Sequence, residues 1–310
     1  MTPDELQSER RRRWHQDGIA VRTIEAARDF LEDVGLCLMY PEVQQSPAPS
    51  LIAAWIGRDH GLPVARGAFA HPEAAEAEAM KLRLVREHAA YEWPLNESAL
   101  LAAASVFPFF YALAGDRAGR QQPAWSAGQK LSKLARDAWG EFERTKQPIV
   151  EDELRQQLGK GISEAALRRA LHELWQRLRI QRVDRTERGD AWEVLSASSR
   201  KALNEADQLS VPSALSALIS KYLDAVIAAE PQEIEAFFSP LVARSKVRDA
   251  VHALLAAREI TTVQVGVHSM LQIMPERVAP VLRGPRERKP APDPRQQPLR
   301  HRSARGRKPA

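Results

Sequence analysis

Cysteine is nearly absent from this chain of 310 residues, which contains Cys37 alone. A single cysteine excludes an internal disulfide and any paired C-x-x-C metal motif. No apolar run approaches the roughly 20 residues needed to cross a bilayer. The charged start, residues 1–13, is followed by no apolar segment, so a secretory signal is not indicated. These absences predict a cytoplasmic protein with no membrane partner.

Common catalytic and cofactor motifs are missing as well. The chain contains no G-x-x-x-x-G-K-[ST] phosphate loop, no H-E-x-x-H zinc motif and no G-x-S-x-G nucleophile turn. Its eight histidines are scattered without the spacing of metal ligands. We therefore predict no cofactor and no metal, and the sequence nominates no catalytic residue.

A net positive charge is found only in the C-terminal segment. Residues 283–310 hold eight arginines and two lysines against Glu287 and Asp293, a net charge of +8, whereas the whole chain carries +5 and the remainder therefore −3. This Pro- and Arg-rich composition cannot bury enough apolar surface to fold, which predicts a disordered basic tail attracted to phosphate. A solubilising terminus is the alternative. Residues 1–20, with their arginine cluster at 10–13, are likewise predicted to be a disordered basic end.

The second half of the chain repeats one order of elements. Residues 129–200 and 208–280 each predict a leading helix, a short helix, a turn, a helix with basic side chains, and two strands joined by a tight turn. That order is typical of a winged helix-turn-helix. The sequence thus predicts tandem winged helices, in a fold that is mainly α with small β-hairpin wings and belongs to the α+β class.

The first copy shows its pattern most clearly. Ser163 is placed to cap a helix whose apolar stripe runs through Leu167, Leu171, Leu174 and Leu178. Two alternating strands, residues 180–184 and 191–194, enclose a polar turn with Arg185 and Arg188 at its tip. In the second copy the turn Gly266–Ser269 carries no arginine, which predicts weaker attraction to phosphate.

Basic side chains opposite the apolar stripes are the candidate contacts to double-stranded DNA. In the first copy the third helix contributes Arg168, Arg169, His172 and Gln176, and the wing contributes Arg182, Arg185 and Arg188; the second copy contributes Arg244 and Arg248. A solvated helix face and a protein-docking module are the alternatives to DNA contact.

Residues 21–115 are predicted to form a separate α-rich N-terminal domain, and residues 116–128 a linker into the first winged helix. Ser50 is a candidate helix cap, and residues 70–88 are rich in alanine and glutamate, as expected of a long helix. The densest aromatic stretch, FPFFYAL at residues 107–113, is interpreted as core or domain interface in preference to a pocket for an extruded base.

Several of these segments resemble a bacterial group related to the AlkZ/YcaQ crosslink-repair DNA glycosylases. The resemblance is carried by the helix at residues 23–35, by VGLCLMYP at 34–41, by PSLIAAWIGR at 49–58, by the aromatic stretch and by the wing segment RGDAW at 188–192. It extends over about residues 22–275. It implies winged helices that embrace duplex DNA and, in active members, hydrolysis of an N-glycosidic bond.

The chain differs from the active members of that family at their catalytic element. Active members carry a Q-x-Q or Q-x-D element that positions and activates the attacking water, and residues 21–115 contain no such triplet. We therefore expect a DNA-binding protein without recognisable catalysis, associated with the nucleoid. An active DNA-repair glycosylase and a winged-helix scaffold for protein docking remain the alternatives.

Overall fold

The computed structural model describes residues 1–41, 46–65, 71–95, 98–117, 123, 126, 128–159, 161–195 and 199–275. Helices alternate with small antiparallel sheets, so the expected α+β class is confirmed. Residues up to Met274 form one compact unit. The predicted basic tail, and most of the predicted linker, lie outside the described residues.

Helix α1, Pro3–Arg13, occupies the segment that the sequence predicts to be disordered, and that prediction is wrong. Thr2 and Glu5 form a capping box, in which each side chain accepts a hydrogen bond from the other residue's backbone N–H. Arg10 is buried and donates to the carbonyl oxygens of Val226, at 3.0 Å, and Ala228, at 2.6 Å. The capping box and Pro3 in the first turn were local signals of this helix, whereas the contacts that bury Arg10 come from residues more than 200 positions away.

The first block follows, and it has more β-structure than the predicted α-rich domain. Its elements are α2 Ile24–Val34, β1 Leu36–Leu38, α3 Leu51–Ile56, α4 Pro72–Arg86, β2 Ala90–Leu95 and β3 Ser98–Ala103. Strand β3 pairs antiparallel with both β1 and β2. The sequence does not predict the hairpin β2–β3, because β3 has the sequence SALLAA, which is rich in helix formers, and because Pro94 in β2 is unusual in a strand. Ser50 caps α3 as predicted.

Helix α5, Phe107–Ala114, leads to the second block and places the aromatic stretch in the core. The second block comprises α6 Lys133–Thr145, β4 Ile149–Val150, α7 Glu151–Leu158, α8 Glu164–Gln176, β5 Ile180–Thr186 and β6 Gly189–Val194. Its strand order, β4-β6-β5, matches that of the first block. Ser163 caps α8, as predicted, by accepting from the Ala166 N–H at 3.2 Å.

Helix α9, Arg200–Asp207, precedes the third block, which comprises α10 Val211–Val226, α11 Pro231–Phe238, α12 Arg244–Ala256, β7 Ile260–Val265 and β8 His268–Ile273. A backbone bridge between Ala229 and Leu271 lies where the other two blocks have their first strand. The order of helices followed by a hairpin therefore occurs three times, once more than the sequence predicts.

Apolar packing joins the blocks unequally. One core of buried residues runs through the first and third blocks together with α5. The second block has a separate core built around Phe142, Leu154, Leu171 and Trp192. Contact between the first and second blocks combines Leu178 and Leu195, which lie in the shared apolar core, with buried polar side chains that lie beside the candidate site.

Candidate nucleic-acid interface

A groove of about 690 Å³ lies between α7, α8 and the hairpin β5–β6. Leu167, Leu171, Trp175 and Trp192 line it with apolar surface. The two tryptophan rings meet edge to face, with centroids 5.3 Å apart. Trp192 is buried and Trp175 half-buried, so both serve packing. The apolar floor of the groove is therefore formed by side chains that also belong to the core of the second block.

Ion pairs surround the groove. Arg168 Nη2 lies 2.6 Å from Glu164 Oε1, Arg185 Nε lies 2.9 Å from Asp190 Oδ1, and Arg188 Nη1 lies 3.0 Å from Glu153 Oε1. The three arginine side chains are 61%, 39% and 56% exposed, respectively. The pairs Arg168–Glu164 and Arg188–Glu153 are exposed on both sides, and exposed pairs contribute only about 0–1 kcal/mol each. A phosphate group can therefore replace Glu164 and Glu153 at small cost.

Four residues predicted from the sequence come together in this groove: Arg168, His172, Arg185 and Arg188. Burial lowers the pKa of His172, against the opposing effect of Glu173, so its imidazole is neutral at pH 7. Arg169 is exposed on the same helix. Gln176 is half-buried, and its carbonyl oxygen accepts from Trp93 Nε1 at 2.8 Å.

Arg182 is not a surface residue of the hairpin, and its assignment to DNA contact is wrong. Its side chain is buried, donating from Nη2 to Glu92 Oε1 at 2.8 Å and from Nη1 to Asp190 Oδ2 at 3.2 Å. Alternation along β5 predicted an exposed face. That face is covered by the first block, and the pairing register shifts between Arg182 and Asp184.

The second set of predicted residues lies apart from the groove, in the third block. Arg244 is exposed at the start of α12, and Arg248 Nε lies 3.1 Å from Glu235 Oε1. The turn of the hairpin β7–β8 contains Val267, which is 92% exposed. His268 follows it, and its Nδ1 lies 2.6 Å from Glu230 Oε1. The third block therefore offers an apolar tip where the second offers arginines.

A buried ionic cluster, which sequence reasoning missed, joins the first and second blocks. Lys81 Nζ lies 2.5 Å from Glu92 Oε1 and 2.6 Å from Glu78 Oε2, and Arg182 adds its own contact with Glu92. Burial alone would raise the pKa of Glu92, but Arg182 and Lys81 lower it to about 2. A signal was available, because Lys81 lies in the apolar stripe of α4, between Ala77 and Leu84.

Two tryptophans add reciprocal hydrogen bonds to the same contact. Trp93 Nε1 on β2 donates to the carbonyl of Gln176, and Trp175 Nε1 on α8 donates to the carbonyl of Glu92, at 3.0 Å. Indole N–H groups need a partner when buried. These bonds fix α8 relative to strand β2 of the first block.

A second pocket, of about 440 Å³, lies between α4 and β5. Its lining residues are Tyr40, Ala74, Ala75, Glu78, Ala79, Leu82, Arg83, Arg86, Asp184 and Arg185. Tyr40 donates its hydroxyl hydrogen to Glu78 Oε1 at 3.2 Å. Burial and the neighbouring Glu78 raise the pKa of Tyr40, so the hydroxyl stays protonated. Arg185 borders both this pocket and the groove.

Within the described part of the chain, no group of three or more His, Cys, Asp or Glu side chains is arranged to hold a metal ion. None of the helices described there is long and apolar enough to cross a membrane.

Comparison with known proteins identifies the fold. No protein-family model matches the chain, and no curated protein matches it. Among solved structures, Streptomyces sahachiroi DNA glycosylase AlkZ is similar, with a TM-score of 0.57 and 14% sequence identity, covering 88% of this chain and 70% of that chain. Identity this low shows a common fold alone. The distant resemblance inferred from the sequence is confirmed at that level.

Proposed function

We propose that this chain is a DNA-binding protein that holds duplex DNA with tandem winged helices. Helix α8 enters the major groove, and the hairpin β5–β6 follows the adjacent backbone as the wing. Arg168, Arg169 and His172 meet phosphates or base edges, while Arg185 and Arg188 meet phosphates. The third block, through Arg244 and Arg248, makes a weaker second contact.

The observation that carries this proposal is the convergence of Arg168, Arg185 and Arg188 on one groove from two consecutive elements, helix α8 and the hairpin β5–β6. Arg168 and Arg188 are held by the exposed carboxylates of Glu164 and Glu153 and can exchange those partners for a phosphate oxygen, whereas the partner of Arg185, Asp190, is 19% exposed and also bonds Arg182. Phosphate contact also releases counterions from DNA, a gain that exchange between carboxylates does not offer. The matching order of elements in the three blocks supports assigning winged helices.

The likeness to a DNA glycosylase favours one alternative, an active repair enzyme that hydrolyses the N-glycosidic bond of a damaged base. Residues 21–115 offer no Q-x-Q or Q-x-D triplet for it. A protein-docking scaffold is the remaining alternative, and it predicts negligible affinity for DNA.

The test is a titration of the full chain against plain duplex DNA over a series of salt concentrations. The double variant Arg168→Ala/Arg185→Ala is expected to weaken binding and to reduce the salt slope by roughly 0.9 for each lost phosphate contact. A variant with every arginine of residues 283–310 replaced by glutamine controls for the tail. An unchanged slope in the double variant, with binding lost in the tail variant, would exclude the groove as the DNA site.

A parallel incubation distinguishes binding from catalysis. An alkylated duplex is held with excess protein, treated with base, and examined for strand cleavage. We expect cleavage no higher than in the absence of protein. Cleavage above that level would establish the glycosylase alternative.

A further inference from the structure

We propose that two copies of this chain associate through the outer edge of strand β7, the strand that opens the hairpin of the third block. The two β7 strands pair antiparallel about a twofold axis and join the two hairpins into one continuous sheet. The inference is independent of the proposed function, because the association needs no DNA.

Strand β7 has backbone partners on one side only. Leu271 of β8 exchanges both of its backbone hydrogen bonds with Ala229, at 2.8 and 2.9 Å, so these groups of Leu271 point away from β7. Thr262 lies opposite Leu271 in a non-hydrogen-bonded pair, and its own N–H and C=O therefore point outward. Those of Gln264, two residues along, point the same way. No backbone group of the described residues bonds to the outward groups of Thr262 and Gln264.

The equivalent strands of the other two blocks are protected in ways that β7 is not. Strand β2 contains Glu92 and Pro94, β5 contains three charged residues, and both strands lie in the contact between the first and second blocks. Strand β7 has the sequence ITTVQV, with no charge and no proline, and both Thr262 and Gln264 are exposed. Charge, proline and cover are the usual protection of an edge strand. The edge of β7 is therefore suited to pairing with another strand.

A second copy of β7 fits this edge in one register. Ile260 is buried, which leaves Thr262 and Gln264 as the exposed residues of β7 with outward groups. If Thr262 of each copy pairs antiparallel with Gln264 of the other, all of these outward groups are satisfied by four interchain hydrogen bonds. The absence of charge favours a second copy in particular, because a charge beside a twofold axis faces the same charge on the other chain.

The same register places Val263 opposite its own copy on the twofold axis. Val263 is half-buried and packs against the cluster of Leu6, Ala228 and Val265, so part of its side chain is open to a partner. Across the axis it forms a non-hydrogen-bonded pair, in which Cα atoms lie about 4.5 Å apart and side chains are closest. Contact between the two valines adds to the hydrogen bonds. The interface is small, so we expect a weak dimer, with a dissociation constant on the order of 10 μM.

Disulfide trapping tests the register, because the natural Cys37 is buried. Val263→Cys places two thiols across the axis at a Cα separation within the range of disulfides, about 4.4–6.8 Å. Thr261→Cys, on the same strand and face, is the matched control, since its own copy lies about 14 Å away. Both full-length variants are oxidised without DNA and separated on a non-reducing gel. Sedimentation equilibrium compares the native chain with Thr262→Lys, which puts a charge on the edge, and with Ser269→Lys, which adds the same charge at an exposed position of β8.

We expect severalfold more covalent dimer from Val263→Cys than from Thr261→Cys. The native chain and Ser269→Lys should show a monomer–dimer equilibrium, whereas Thr262→Lys should stay monomeric with an unchanged melting temperature. A native chain that remains monomeric at about 100 μM, well above the expected dissociation constant, would overturn the proposal and leave the edge to a strand of another protein. Equal trapping of the two cysteine variants would overturn it as well, and so would a dimer that Thr262→Lys leaves intact. None of these results bears on the proposed function, because DNA is absent throughout.

Discussion

The hairpins β5–β6 and β7–β8 occupy the same place in two blocks with the same order of elements, yet the contacts that each makes outside its own block differ in kind. The first is anchored by buried charge, through Arg182 and Asp190 against Glu92 of the first block. The second is anchored by apolar contact, with Val265 packed against Leu6 of α1 and Ala228. Their turns differ in the same sense, with Arg188 in one and Val267 in the other.

This contrast shows that one topology can be held by two kinds of contact. If the first hairpin presents its arginines to phosphate, as proposed, it must keep their positions while neighbouring carboxylates compete for them, and directional ionic contacts fix those positions. Apolar packing is less directional and suffices where the turn has no charge to aim. The two hairpins should therefore differ in their response to lost counter-charges, to acid and to DNA.

The largest expected effect comes from removing the centre of the buried cluster. Glu92→Ala leaves Lys81 and Arg182 buried without their shared carboxylate, and loss of one partner of a buried pair costs about 3–5 kcal/mol. We expect the free energy of unfolding, measured in urea, to fall by that amount. Glu153→Ala, which breaks the exposed pair with Arg188, is the control and should cost less than about 1 kcal/mol. Equal losses would show that the cluster is not a buried anchor.

Acid should weaken the first anchor and spare the second. The pKa of Glu92 is lowered to about 2 in the folded protein, from an ordinary value of 4.5. Its ionised form therefore stabilises the fold fully above about 4.5, and that contribution is lost as the pH falls toward 2. Unfolding free energies of the native chain, Glu92→Gln and Leu6→Ala, measured from pH 6 to pH 2, test this. Glu92→Gln should flatten the acid limb, and Leu6→Ala should lower the whole curve with its shape retained.

Replacement of Arg10, which ties α1 to the third block, should cause the next largest loss of stability. This guanidinium donates to the carbonyls of Val226 and Ala228 at the end of α10, where a positive charge also favours the helix dipole. Arg10→Met should destabilise the protein by about 2 kcal/mol, as expected for hydrogen bonds from a charged donor to buried carbonyls. Arg12→Met, at an exposed position of the same helix, should have little effect on urea unfolding. Equal stability of both variants with the native chain would remove α1 as an anchor.

Loss of arginines from the second block should weaken DNA binding more than loss of arginines from the third block, by a free energy smaller than the losses of stability above. Arg168→Ala/Arg185→Ala is expected to reduce duplex affinity about tenfold or more, which corresponds to about 1.4 kcal/mol. Arg244→Ala/Arg248→Ala removes the same number of charges from the third block and should reduce it less. Anisotropy titrations at fixed ionic strength compare the two. A larger loss in the third block would reverse the proposed order of the two contacts.

Sequence patterns predicted what is local in this fold and failed where distant segments decide. The helices and hairpins of the second and third blocks follow from periodicity and from caps such as Ser163. The hairpin β2–β3 did not, because Ser98–Ala103 gains its strand conformation from pairing with two other strands. Arg182 alternates as an exposed residue, yet the first block buries it. The sequence therefore predicted the arginines that line the groove, but it did not predict the buried ionic cluster of Lys81, Glu92 and Arg182.

The smallest expected effect isolates the competition between carboxylate and phosphate. Glu153→Gln releases Arg188 in the second block, and Glu235→Gln releases Arg248 in the third; each adds one unit to the net charge. If Arg188 meets DNA, then Glu153→Gln should raise duplex affinity about threefold at low salt, since an exposed pair is worth under about 1 kcal/mol. Glu235→Gln has the same effect on net charge and should raise it less. Equal gains would show that the effect comes from net charge alone, because only the removal of a specific competitor can favour the second block over the third.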